Sequence, residues 1–181
     1  IAGRIHSEIQ LNAYSNLSIA EMRMYPQDRS QRTMFAYSWP WVTTQFASIA
    51  MNNSWDISAQ SRLNFGGSLG YNYNFSRYAE FNRIFHPGAS REKSRMLPAL
   101  HAAYQLSTGR FDFSAGTGYG HRAPSVSEAY GYYIYNSFDR YDYIGDPALK
   151  NEISYEVNAG AGFKTGKAAI ETRVNYFYIR N

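Results

Sequence analysis

Four groups of side chains in this 181-residue chain are of types that could do chemistry. Gly66-Gly67-Ser68-Leu69-Gly70 has the Gly-x-Ser-x-Gly spacing of a serine nucleophile, which works only on a strained strand-to-helix turn that exposes the hydroxyl. His6, His86, His101 and His121 could ligate a metal, but none is spaced to share one with another along a helix. Between Ser76 and Arg95, Arg77, Arg83, Arg91, Lys93 and Arg95 outnumber Glu80 and Glu92. Such a surplus either focuses an anionic ligand or is a solvated loop. Tyr130, Tyr132, Tyr133, Tyr135, Phe138, Tyr141 and Tyr143 crowd one stretch with Asp139, Arg140 and Asp142. Tyrosine offers stiff contact area with a polar tip, and arginine offers bidentate or stacked contacts, so this stretch is the candidate recognition surface. About half of its rings are expected only to pack it down.

The elements that carry these groups alternate apolar and polar residues. Leu63, Phe65, Gly67, Leu69, Tyr71, Tyr73 and Phe75 share one face of a predicted strand, and Arg62, Asn64, Gly66, Ser68, Gly70, Asn72 and Asn74 share the other. Ser68 therefore sits inside an uninterrupted strand, and the serine motif is a chance match. The same split runs through Phe111 to Gly120 and Ile153 to Lys164, on either side of the tyrosine-rich stretch. It recurs in Ile5 to Ala13, Ala47 to Trp55, Pro98 to Leu106 and Ala168 to Tyr178. Tyr14-Ser15-Asn16 reads as a tight turn into Leu17 to Met24, where the phase breaks as at a bulge or early loop. Tyr25 to Thr43, with Pro26, Pro40 and the Trp39/Trp41 pair, reads as a long loop. The total is about eight strands, joined alternately by short turns and long loops.

Strands with one oily and one wet face build either a water-soluble antiparallel sandwich or a transmembrane barrel. A strand of ~11 residues, rising ~3.3 Å each and tilted by ~45°, crosses about 25 Å of membrane. Tyr71, Tyr73, Phe75, Tyr119, Tyr155, Tyr176 and Tyr178 gather toward the long-loop ends of the oily faces. Trp55, Phe65, Phe111 and Phe163 gather toward the short turns. Rings flanking an aliphatic band are the girdles of a lipid-spanning barrel. No run approaches the roughly 18 apolar residues of a transmembrane helix, but barrel strands hide their hydrophobicity in alternation. The wet faces carry Gly66, Gly70, Gly116, Gly118, Gly120, Gly160 and Gly162. A narrow closed barrel must fill its interior with side chains, so these glycines point to one arc of a wider barrel. The chain has no cysteine, which excludes disulfides and thiolate metal sites. Basic residues confined to a loop do not track a groove beside stacking rings, so nucleic acid is not an expected partner.

The boundaries of the tyrosine-rich stretch carry a family likeness. Arg122-Ala123-Pro124-Ser125 ends one strand, and Asp146-Pro147-Ala148-Leu149-Lys150-Asn151-Glu152 starts the next. The pair resembles the Arg-Ala-Pro-Ser and Asn-Pro-x-Leu-Lys-Pro-Glu boxes of the C-terminal barrel of TonB-dependent outer-membrane receptors. His121 stands where an aromatic is common, Asp146 for the usual Asn, and Asn151 for the usual Pro; the spacing is intact. The resemblance implies an all-β, antiparallel transmembrane barrel, with residues 1–181 forming part of one barrel domain of about 22 strands. It implies a bacterial outer-membrane location, and uptake of a scarce nutrient, most commonly a ferric siderophore, with haem, cobalamin and other metal chelates as alternative cargoes. Haem receptors of this kind place histidine between the boxes, where residues 123–145 have none; His86 in the neighbouring loop keeps haem open.

The implied partners are the cargo, outer-membrane lipid and lipopolysaccharide, and the TonB complex through an N-terminal plug outside this chain. No catalysis and no cofactor are expected. Arg122, Tyr130, Tyr132, Tyr133, Tyr135, Asp139, Arg140, Tyr141, Tyr143 and His86 are the candidate cargo contacts. Arg122, Pro124, Glu128, Pro147 and Glu152 are the candidate structural set, because a charge near a strand end is stable when paired inside the lumen and costly toward lipid. The absence of an initiating methionine and the strand-like finish at Tyr176 to Arg180 read as an internal piece of an exported protein. The rival is a small self-contained barrel with an adhesive or structural role.

Overall fold

Period-two alternation is realised as extended strands in the computed structural model, which describes residues 3–24, 30, 34–77, 87–131, 134–136, 140–166 and 168–180. In chain order these are β1 (Arg4–Met24), β2 (Met34–Asp56), β3 (Ser61–Ser76), β4 (Glu92–Thr108), β5 (Phe111–Arg122), β6 (Ile134–Asn136), β7 (Tyr141–Tyr143), β8 (Glu152–Lys164) and β9 (Ala169–Arg180). One short helix, α1 (Val126–Tyr130), lies between β5 and β6. Among the described residues, seven strands form one antiparallel sheet in the order β1-β2-β3-β4-β5-β8-β9, and β6 and β7 pair as a separate hairpin in the loop. The sheet is an open up-and-down arc with β1 and β9 as its edges.

Three readings from sequence are corrected. The expected turn at Tyr14-Ser15-Asn16 lies inside β1, where these residues pair with Phe46, Gln45 and Thr44. The two expected segments on either side of it are one strand, so the sheet has seven strands where about eight were expected. Tyr14 faces the polar side and stacks on Phe46, with ring centroids 5.1 Å apart. Most of the expected loop from Tyr25 to Thr43 is the first half of β2. Its register shifts twice, between Ser18 and Ala20 and between Ala20 and Glu21. The first shift leaves Pro40 and Trp41 on β2 opposite Ile19 alone, so Pro40, which has no N–H, occupies a bulge instead of a regular ladder position. Finally, Lys93 and Arg95 belong to β4 and not to the preceding loop.

Direct cross-strand partners lie on one face, so the register sorts the sheet into two phases. One carries Leu11, Ile49, Leu69 and Pro98 in a single row, and Thr117, Val157 and Tyr176 in another. Below the bulge this phase contains no Asp, Glu, Lys or Arg except Glu92 and Arg180, both at the long-loop rim. Leu69, Val157 and Ile170 are 46%, 55% and 68% exposed, so among the described residues no second layer covers them as a sandwich requires. Near the short turns, polar groups on this face bond to one another and to the ladder. Ser7 donates to Asn53 Oδ1 (2.7 Å), and Asn53 Nδ2 donates to the carbonyl of Phe65 (3.4 Å).

The opposite phase is polar. At the short-turn end it holds the ion pairs Arg62–Asp56, Lys164–Asp112 and Arg173–Glu171. Two of its glycines are covered by neighbouring side chains. His101 and Asn52 lie across Gly66, where an added Cβ would come within 2.8 Å of both, and Asn158 lies equally close across Gly116. Polar side chains thus lie against the backbone at these two points of the wall. Short turns are tight: Gly109 adopts φ +60° between β4 and β5, a conformation that favours glycine.

At Val157, on the apolar face near the middle of β8, substitution by Arg is expected to hinder insertion by about 2 to 4 kcal/mol. Asn158→Arg, on the polar face, should be tolerated. Refolding yields of the two variants into lipid vesicles check the assignment, and equal yields would contradict it.

Candidate functional site

The loop between β5 and β8 begins where Arg122, the last residue of β5, faces Glu152, the first of β8. Both are on the polar phase. Arg122 Nη1 donates to Glu128 Oε2 (2.9 Å), and its Nη2 donates to Glu128 Oε1 (3.1 Å) and Glu152 Oε2 (2.7 Å). One guanidinium thus fastens the strand end, the helix start and the returning strand. Beyond it, Pro124 precedes the N-cap Ser125, whose hydroxyl accepts from the Glu128 amide (3.2 Å) while Glu128 Oε2 accepts from the Ser125 amide (2.7 Å). This reciprocal capping box is what starts a helix of five residues. The Arg122 fork, and after it the two Ser125 bonds, hold the Glu128 carboxyl down at a pKa of about 2.

The helix is closed from the far side by the returning chain. Gly131 donates to the Ser127 carbonyl (2.9 Å), Gly145 donates to the Gly131 carbonyl, and Asp146 donates to the Glu128 carbonyl (2.9 Å). A Cβ on Gly145 would fall 2.7 to 2.8 Å from three backbone atoms of Glu128, Tyr130 and Gly131, so no other residue fits this approach. Asp146 then forms a turn, its Oδ1 accepting from the Ala148 amide (2.7 Å), with Pro147 buried beside it. Asn151 Nδ2 donates to the Met96 carbonyl (2.8 Å), and Arg95 Nη2 donates to the Leu149 carbonyl (3.2 Å). The two box departures, Asp146 and Asn151, therefore each use a side chain to seat the return segment.

The buried face of α1 presents Ala129 and Tyr130 to Val42 of β2, and all three are fully buried. They cover a polar floor of Asn72, Asn74, Ser76 and Arg95, themselves buried. Thr44 donates to Asn74 Oδ1 (2.8 Å) within it. Burial pushes the Tyr130 hydroxyl pKa up, and that hydroxyl has no hydrogen-bond partner among the described residues. Sequence reasoning missed this floor. Its signal was the wet phase of β3, whose Asn72 and Asn74 continue into Ser76.

The candidate residues fall into two groups. Arg122, Pro124, Glu128, Pro147 and Glu152 come together at the loop base, and Tyr130 packs beneath it. Tyr141 is exposed on the β6-β7 hairpin, and Arg140 is exposed beside it with φ +64°. Tyr135 and Tyr143 belong to β6 and β7, but their side chains, like Tyr132, Tyr133, Asp139 and His86 altogether, lie outside the described residues. His121 takes the apolar phase, bonded to the Tyr119 hydroxyl through Nε2, and so points away from Arg122's side of the wall. Ser68 sits between Ala50 and Ala99 in the middle of β3. Among the described residues no cluster of His, Asp or Glu could hold a metal ion.

The chain matches a protein-family model described as TonB dependent receptor-like, beta-barrel, over residues 5–181. No match was found among curated proteins or among solved structures.

Two outcomes follow from the loop base. Gly145→Ala should expose the α1 amides, with hydrogen exchange of residues 126–131 faster by about tenfold or more, roughly 1.4 kcal/mol, while the strand amides stay protected. Acid should act likewise. The folded-state pKa of Glu128 is depressed, so its contribution is complete above about pH 4.5 and is lost as pH falls through about 2. Protection factors at α1, taken against the intrinsic exchange rate at each pH from 5 to 2, should fall across that window in the native chain and stay level in Glu128→Gln.

Proposed function

From the premise that this chain belongs to the TonB-dependent receptor β-barrel family, we propose that it supplies wall and cargo-recognising loop to an outer-membrane receptor for a ferric siderophore. Membership makes the protein an outer-membrane receptor of the transporting kind; the cargo is the finer step. The observation that carries the reading is the two-sided sheet. Its apolar phase is exposed and, below the rim residues Glu92 and Arg180, free of charge, fit for acyl chains, while its opposite phase is polar and carries the long loop at its end.

Recognition falls to the part of the loop beyond the anchored base. Arg122, Glu128, Glu152 and Gly145 hold the base, and the β6-β7 hairpin projects from it with Arg140 and Tyr141 exposed. Rings with polar tips and a cation suit a flat, anionic metal chelate.

Deleting residues 132–143 from the full-length receptor should abolish binding of a ferric siderophore, read by quenching of intrinsic fluorescence, and leave heat-modifiable migration of the barrel intact. Unchanged affinity would remove the hairpin from the site.

A further inference from the structure

β4 and β5 are paired only as far as Ala99 and Gly120, yet β4 runs on to Glu92. Residues 146–151 lie along this overhang, fixed by the bonds from Asn151 and Arg95 described above. Between the overhang and the tops of β8 and β9 a notch of about 490 Å³ remains. Lys93, Arg95, Lys150 and Arg180 line it, and no carboxylate side chain among the described residues does.

The acids nearest in sequence are committed elsewhere. Glu92 is on the other phase and engages the Tyr73 hydroxyl, Glu152 is held by Arg122, and Asp146 caps the Ala148 amide. Arg95 is only 6% exposed, and among the described residues its Nη1 has no hydrogen-bond partner. A buried guanidinium with an idle donor, beside three further cations, is repulsive and under-bonded unless an anion joins it.

We propose that this notch is an oxyanion site that takes a phosphate group, with the Arg95 fork making directed bonds and the lysines and Arg180 supplying charge. Lys93 and Arg95 belong to the polar phase, whereas Ile153 and Arg180 belong to the apolar phase, so the notch cuts through the rim of the wall. Arg180 stands one step above the row Tyr119, Tyr155 and Tyr178, whose rings pack side by side. That is the level of lipid headgroups if those tyrosines form the boundary layer. The phosphate comes either from a headgroup of the outer leaflet or from solution, and the volume admits a phosphorylated sugar. This site stands independently of the cargo assignment.

The test uses delipidated full-length receptor in neutral detergent and the double variant Lys93→Gln/Lys150→Gln, titrated calorimetrically with pyrophosphate, with lipopolysaccharide, and with lipopolysaccharide stripped of its phosphates. The native receptor should bind a phosphorylated probe near one equivalent, and the double variant at least tenfold more weakly. Binding of intact but not stripped lipopolysaccharide assigns the site to a headgroup; binding of pyrophosphate alone assigns it to a free anion. Should the double variant lose heat-modifiable migration, Arg180→Gln provides the same comparison, with a loss of threefold or more. Absence of binding by either phosphorylated probe, or equal binding by native and variant receptors, would overturn the site.

Discussion

Backbone polar groups next to hydrocarbon have no water to turn to, and this constraint governs the arc. Each strand must close its amides and carbonyls on its neighbours, so the pairing is continuous wherever the apolar phase is continuous. From Arg4 to Ser18 the β1-β2 ladder has no break, and the β2-β3 and β5-β8 ladders have none at all. Irregularity is displaced to the long-loop side. The register shifts at Pro40 lie beyond the last β2-β3 pair, Val42 with Ser76, and Pro98 lies one residue beyond the last β4-β5 pair. β2, with 23 residues, would rise about 54 Å at a 45° tilt, roughly twice the apolar band. Its upper half is thus free to bulge.

The same constraint explains what could be read from sequence. Period-two alternation is imposed by two different solvents, so β3, β5, β8 and β9 were legible nearly to the residue. Tyr14-Ser15-Asn16 misled because Ser and Asn are turn formers that a strand also accepts; only the partners Phe46, Gln45 and Thr44 on β2 decide between the two. Residues 34–43 read as loop because the bulge shifts the phase and adds a proline, two local signs of irregularity inside a strand whose pairing is not local. Lys93 and Arg95 were assigned to a loop for the same kind of reason: a charge cluster was legible, the height of the wall was not.

At the loop the division is sharper. Ser125 and Glu128 have capping-box spacing, and the two boxes bring Arg122 and Glu152 to adjoining strand ends, so the base was within reach of sequence argument. Tyr130 was not. It shares its residue type and neighbourhood with Tyr132 and Tyr133, and nothing local marks it as the ring that Val42, on a strand far earlier in the chain, would bury. Tyrosine is equally good at packing and at presenting, and tertiary contact alone separates the two roles.

The loop base also explains how one scaffold can serve different cargoes. Gly131 and Gly145 are joined by a backbone hydrogen bond, and the Arg122 fork ties the strand ends beneath them. Everything between the glycines is therefore a closed excursion whose ends are already fixed. Lengthening such a loop costs only a logarithmic entropy term, about 0.6 kcal/mol per doubling, and changing its side chains leaves the capping box and the Gly145 contact untouched. The wall is bound to lipid by the strict alternation of its strands, and the β6-β7 hairpin is exempt from it.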